Sequence, residues 1–370
     1  MQIVDFPLLQ ASLNSNKVVS SYHYGQPGSG LKVYIQAGLH ADEHPGMLVA
    51  HYLRLALQQE EAAGNLQGEV ILVPLANPLG LDQKILGYLL GRFEQGSGQN
   101  FNRYYTDLAA LVAGRVESKL GKDAEANVVL IRAAMLEALA ELQPENELDS
   151  LRLRLQSLAC DADILLDLHC DLEAALHLYI HSEQIKQGLE LAQHLGCEVT
   201  LYAEAGNGQP FDEAHSGPWA NLATRFPKAA IPMACFAATV ELRGQTDVSS
   251  GQAKADAEAI LNYLRAKGVL KGQPEAASKV REPKPLAAVE VAKAPSAGLV
   301  DFLVQPGQWV SPGQPLLRVI NPLGGAETEL CSSIEGIVYA RNRQRYAHTG
   351  MELMFVSGEE PIRSGHLLSP

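Results

Sequence analysis

What this chain is short of narrows what it can do. Positive charge is scarce: 29 lysines and arginines stand against 42 aspartates and glutamates, a formal net charge of -13. Phosphate backbones require a basic face, so nucleic acid is not expected as a partner. A small anionic substrate is still allowed, because a pocket can hold local arginines inside an acidic protein. Cysteines number only five in 370 residues, and no C-x-x-C occurs. Cys160, Cys170, Cys197, Cys235 and Cys331 therefore read as reduced thiols of a cytoplasmic protein. No apolar run approaches the roughly 18 residues that span a bilayer. Residues 1–20 lack the basic-then-apolar pattern of a signal peptide. No membrane partner is expected.

What is present is an ordinary globular composition, 46% hydrophobic and 19% charged, enough for one large core and a smaller domain. Buried strands are expected at 31–37, 69–76, 163–168, 177–181, 198–202 and 233–242, from short apolar runs closed by turn residues. Helical patterns fill 47–62, 182–195 and 253–267, and residues 17–24 give one short β-like piece. Residues 81–105 and the Gly- and Pro-rich stretch 206–218 read as loops. Residues 106–160 are rich in Ala, Leu, Glu and Arg and read as helices split at Pro144. They suggest a helical insertion, either a lid or an element for a homo-oligomer. Strands alternating with helices imply an α/β fold, with a mixed, mostly parallel sheet flanked by helices over 1–270.

Residues 271–285 form a Pro-, Lys- and Glu-rich linker. Beyond it, Gly298-Leu299-Val300, Gly313 and Leu316-Leu317 are echoed by Gly336-Ile337-Val338, Gly350 and Leu353-Met354. Two similar β units over 286–370 suggest a small all-β barrel or sandwich.

The polar residues at strand ends carry the chemistry. His40 and Glu43 sit in a strand-to-helix turn and offer a nitrogen and a carboxylate. His169 follows a buried strand and can supply a third donor; a catalytic zinc takes three protein ligands and keeps one open position. In α/β sheets, ligands gather beyond the carboxyl ends of the strands. His44 competes as a ligand, but using it would displace Glu43 from the set. A chance surface pair and a core histidine are the plainer readings. Asp167, two residues before His169, can orient it from behind. Glu241 ends an apolar strand and reads either as a general base for water or as an ion-pair partner of Arg243. Arg92 and Arg103 suit a carboxylate or a developing oxyanion, and Asn102 adds an amide donor.

The ordered set His40-x-x-Glu43, Arg92, Asn102-Arg103, His169 and Glu241 resembles the succinylglutamate desuccinylase/aspartoacylase branch of the zinc carboxypeptidase-like superfamily. The resemblance covers about residues 30–265. It implies one zinc ion per chain on His40, Glu43 and His169, and Glu241 as general base. It implies that Arg92 polarises the scissile carbonyl and that Asn102 and Arg103 hold a substrate carboxylate. Tyr104 and Arg243 are added as candidate substrate contacts. The implied activity is hydrolysis of the amide bond of an N-acyl amino acid. A metallocarboxypeptidase acting on peptides or cell-wall fragments is the alternative, and a non-catalytic binder of a carboxylated metabolite is another. Two stretches are longer than the aspartoacylase type leads one to expect: 95–99 after Arg92, and 106–160. The C-terminal part resembles biotinyl/lipoyl-like domains. No lysine follows Lys293, which excludes a lysine-linked carrier. That part is expected to shape the active-site entrance or an oligomer interface.

Overall fold

The computed structural model describes residues 1–204, 209–365 and 367. Its centre is a nine-stranded mixed sheet. The strands are β1 (Gln2–Pro7), β2 (Val18–Tyr24), β3 (Lys32–Ala37), β4 (Glu69–Val73), β5 (Ile164–Asp171), β6 (His177–His181), β7 (Val199–Ala203), β8 (Phe236–Gly244) and β9 (Lys284–Pro285). Their order across the sheet is β1-β2-β4-β3-β5-β8-β6-β7-β9. Strand β3 runs parallel to both β4 and β5, and β5 parallel to β8, whereas β6 pairs antiparallel with β8.

Helices cover both faces. They are α1 (His44–Ala62), α2 (Leu108–Val116), α3 (Ala124–Glu141), α4 (Glu147–Ala159), α5 (Ile185–Leu195), α6 (Glu213–Arg225) and α7 (Ser250–Ala266), with a short helical turn at Pro78–Leu81. The two-residue period of the strands sorts their side chains between the layers. Val33, Ile35, Leu166 and Val240 pack with Leu53 of α1, Leu191 of α5 and Ile260 of α7. Tyr34, Ile71, Leu165 and Ala237 face the other way, onto Val112, Ile131, Leu155 and Trp219 of α2, α3, α4 and α6.

Several expectations change here. Helices α2, α3 and α4 of the 106–160 segment pack into the core rather than standing off it, and with α6 they form the layer on one sheet face. Residues 206–208 of the expected 206–218 loop lie outside the described residues, and from Glu213 the chain is helix α6, with Pro218 inside it. Strand β1 was not expected. It is a sheet edge, mostly exposed, with little apolar pattern to mark it.

The C-terminal strands form two antiparallel sheets around a core that includes Val300, Leu316, Val338 and Leu353. They are tied to the large sheet in two places. Glu173–Ala174 pairs with Gly336–Arg341, and β9 pairs with β7. All five cysteines are free thiols. Among the described residues, no helix is long and apolar enough to cross a membrane.

Candidate active site

One face of two adjacent strands turns from apolar to polar toward their carboxyl ends. Along β5 it reads Leu165, Asp167, His169; along β8 it reads Ala237, Thr239, Glu241. His169 and Glu241 are direct neighbours in the parallel register. The turn after β3 brings His40 and Glu43 to the same place. Glu43 is the N-cap residue of α1, and Pro45 fits the first helical turn. A Cβ at Gly46 would lie 2.7 Å from the Leu168 carbonyl oxygen, so only glycine lets α1 approach β5 this closely.

The Glu43 side chain leaves the helix uncapped and faces two histidines instead. Its Oε1 lies 2.9 Å from His40 Nδ1 and its Oε2 2.8 Å from His169 Nδ1. The Cys170 N–H also donates to Oε2, at 3.1 Å. All three side chains are buried, and their donor atoms lie within 4.8 Å of one another. Each histidine is held from behind. Asn100 Oδ1 accepts from the Asn102 N–H and lies 2.8 Å from His40 Nε2. An amide oxygen only accepts, so His40 carries its proton on Nε2 and presents a lone pair on Nδ1. His169 Nε2 lies 2.9 Å from Asp167 Oδ2. Asp167 Oδ1 in turn accepts from Gln36 at 3.0 Å, and Gln36 accepts from the Tyr34 hydroxyl.

The close contact of these groups sets their electrostatics. Burial alone would raise the Glu43 pKa, but His40 and His169 outweigh it and hold the carboxyl well below its usual range. Burial, with Arg92 nearby, lowers the His40 pKa. Burial opposes charge on His169 too, yet Asp167 and Glu43 raise its pKa well above the ordinary value. An ionised carboxylate between two imidazoles, His40 hydrogen-bonded through Nε2 to Asn100 and His169 with its Nε2 set against Asp167, fits a divalent cation.

Glu241 faces this group. It lies within β8 rather than at its end, since the strand runs on through an irregularity to Gly244. Its Oε2 is buried without a hydrogen-bond partner among the described residues. Burial, reinforced by the charge of Glu43, pushes its carboxyl well above the usual carboxylate range. Arg92 Nη1 lies 3.4 Å from both Glu43 Oε1 and His40 Nδ1. The extra residues 95–99 do not displace it. Glu94 accepts from the Gly96 and Ser97 N–H groups, Phe93 pairs with Asn100, and the Phe101 N–H donates to the Arg92 carbonyl. The insertion is thus a closed loop that leaves its two ends in place.

The other named residues divide. Asn102 and Arg103 are buried and line the cleft. Asn102 Oδ1 accepts from the Phe211 N–H at 2.7 Å, and Arg103 Nη1 donates to the Asn102 carbonyl at 2.8 Å. Tyr104 is exposed, lies under the Arg152 guanidinium and does not line the cleft. Arg243 lies outside it too, and gives both Nη groups to Asp256 at 2.9 Å. His44 is exposed.

The cleft has a volume of about 960 Å³, and C-terminal residues such as Tyr339, Asn342, Arg343 and Arg363 form part of its wall. Arg343 donates to Gln245, which donates to Asp42 in the His40–Glu43 turn. No sequence signal marked these residues. Asn100 lies two residues before Asn102, and nothing in the local pattern sets it apart from a loop amide.

The profile of the succinylglutamate desuccinylase/aspartoacylase catalytic domain matches residues 29–267, from just before β3 to the end of α7. The chain belongs to the succinylglutamate desuccinylase/aspartoacylase family. This is a family of hydrolases. Solved structures agree over nearly the whole chain. A family protein from Shewanella amazonensis SB2B is 28% identical, with a TM-score of 0.84 over 96% of this chain and 98% of that one. One from Shewanella frigidimarina NCIMB 400 is 27% identical, also with a TM-score of 0.84, over 96% and 97% of the two chains. The product-bound ectoine utilization protein EutE (DoeB) from Ruegeria pomeroyi, at 16% identity, shares the fold, with a TM-score of 0.66 over 96% and 95%. No curated protein matches.

Proposed function

We propose that this protein is a zinc-dependent amidohydrolase that cleaves an N-acyl amino acid into a carboxylate and the free amino acid. The observation that carries the reading is Glu241, beside His169 in the strand register and facing the buried His40–Glu43–His169 group with an oxygen that has no hydrogen-bond partner among the described residues. One zinc ion per chain on those three residues would acidify water and polarise the scissile carbonyl. Glu241 takes the proton of the attacking water and returns it to the leaving nitrogen. The Arg92 guanidinium, beside Glu43, is placed to stabilise the oxyanion that develops at the carbonyl. Arg103, its Nη1 fixed on the Asn102 carbonyl, receives the substrate carboxylate. Asn102 holds the Phe211 backbone and shapes that end of the cleft.

The test is Glu241→Gln, assayed for amine release from N-acyl amino acids and from short peptides. The expected result is unchanged metal content with kcat lower by about 10²–10⁴-fold. Near-normal turnover in this variant would remove Glu241 as the base. Release from peptides alone would replace the deacylase reading with a carboxypeptidase.

A further inference from the structure

The two ends of the cleft differ in chemistry. Asn102 is tied to the Phe211 backbone, and the Phe211 ring centroid lies 5.9 Å from that of Tyr34 on β3, so the Asn102 end sits on the β3 side of His169. Beyond Glu241, away from β3, the same sheet face continues onto β6. Glu241 pairs with His177 and Thr239 with Tyr179 in the antiparallel register, and direct partners share a face. From there a row of rings leads away. The His177 centroid is 5.3 Å from that of Tyr179 and 4.9 Å from that of Tyr339, and Tyr339 is 6.0 Å from Phe355. Tyr339 is the extra residue of a bulge in the Gly336–Arg341 strand, a device that re-aims a side chain. Phe355 is the cross-strand partner of Val291. Tyr179, Tyr339, Val291 and Phe355 all line the cleft, and all but Tyr339 remain partly exposed. Charged groups on this wall are engaged with polar neighbours: Lys293 with Glu352 at 3.0 Å, Glu290 with Ser332 and Ser333, and Arg343 with Gln245.

We infer that this row of rings is an acyl subsite, so that the substrate carries a medium-length aliphatic or an aromatic acyl group rather than acetyl or a dicarboxylic one. The inference rests on the hydrolase reading for the direction of the substrate and adds the identity of its acyl end. With the amino acid toward Asn102 and the carbonyl at the His40–Glu43–His169 group, the acyl chain leaves on the Glu241 side, along β6. An apolar chain there removes its own surface and that of Tyr179, Val291 and Phe355 from water, whereas acetyl leaves most of this wall uncovered. An acyl group ending in a second carboxylate would have to turn to Arg343 or Arg363, which already donate to Gln245 and to the Leu367 carbonyl.

The experiment is calorimetric titration of the zinc-loaded protein with acetate, hexanoate, phenylacetate and succinate, acids of the kind that hydrolysis would release. All present a carboxylate to the metal-binding group, so the rest of the molecule decides. Hexanoate and phenylacetate are expected to bind at least about tenfold more tightly than acetate, with succinate no tighter than acetate. Phe355→Ala is expected to remove most of that gain, and Val291→Asp, at a partly exposed position of an edge strand, to reduce it. Equal binding of acetate and hexanoate by the wild type overturns the subsite. So does tightest binding of succinate, and so does an undiminished preference in folded Phe355→Ala and Val291→Asp proteins. Amine release from the N-acetyl, N-hexanoyl and N-phenylacetyl forms of the same amino acids is scored separately. Release that is fastest from the N-acetyl forms sinks the subsite and leaves the hydrolase, whereas a preference for hexanoate in binding without any amine release does the reverse.

Discussion

A histidine that offers one ring nitrogen to a cation needs its other nitrogen held, or the ring turns and the wrong tautomer competes. Asn100 does this for His40, because its own Oδ1 is fixed as an acceptor by the Asn102 N–H. Asn100→Ala is therefore expected to weaken metal binding by about 10–100-fold, while Asn100→Asp, which keeps an acceptor, recovers most of it. Competition against a chelator of known affinity reads this out, and unchanged affinity in Asn100→Ala would show that the tautomer is fixed elsewhere. The candidate ligands were legible because His40 and Glu43 follow an apolar strand in its turn and His169 stands where the apolar run of another gives way to polar residues. Arg243 was not: its partner Asp256 comes from a helix that follows the strand, and the pair satisfies itself away from the cleft. Arg243 also takes a positive φ of 66°, which turns its backbone out of the strand geometry the sequence pattern implied. Tyr104 follows Arg103 directly but has a φ of 62°, and its ring lies exposed.

The elements carrying these side chains hold one another at backbone distance. The Ala41 N–H donates to the Gly91 carbonyl at 2.9 Å, joining the His40 turn to the strand-like segment that presents Arg92. A Cβ on Gly91 would lie 2.1 Å from the Asp42 nitrogen, and backbone there cannot yield cheaply. Gly91→Ala is expected to destabilise the protein by about 1–3 kcal/mol and to depress turnover by separating Arg92 from His40. Gly114→Ala, in exposed helix with nothing near its would-be Cβ, is expected to stabilise by about 0.4–1 kcal/mol. Thermal denaturation of the two variants side by side checks the pair, and a harmless Gly91→Ala would contradict the close approach. Elements with a strong apolar rhythm were readable from the sequence. Helix α6 was not, since Gly217 and Pro218 argue locally for a loop while Trp219 and Leu222, buried in the core, impose a helix.

At the scale of the whole molecule, the large sheet supplies the chemistry and the C-terminal strands supply part of the wall around it. Glu173 takes Arg341 and Arg345 across that junction, and Arg343 reaches the His40–Glu43 turn through Gln245. The fold class and the small β part were legible as composition and periodicity. The junction was not, because its partners are far apart in sequence, 98 residues for Gln245–Arg343 and 168 for Glu173–Arg341, and nothing local marks either end. The central claim is that His40, Glu43 and His169 hold a metal ion on which amide hydrolysis depends. The direct measurement is zinc titration into metal-free protein, wild type and His169→Ala, with amine release followed at each addition. The expected result is turnover of an N-acyl amino acid that rises to a plateau at one zinc per wild-type chain, with neither tight binding nor turnover in His169→Ala. Full turnover by the metal-free wild type, or tight one-to-one zinc binding by His169→Ala, would contradict it.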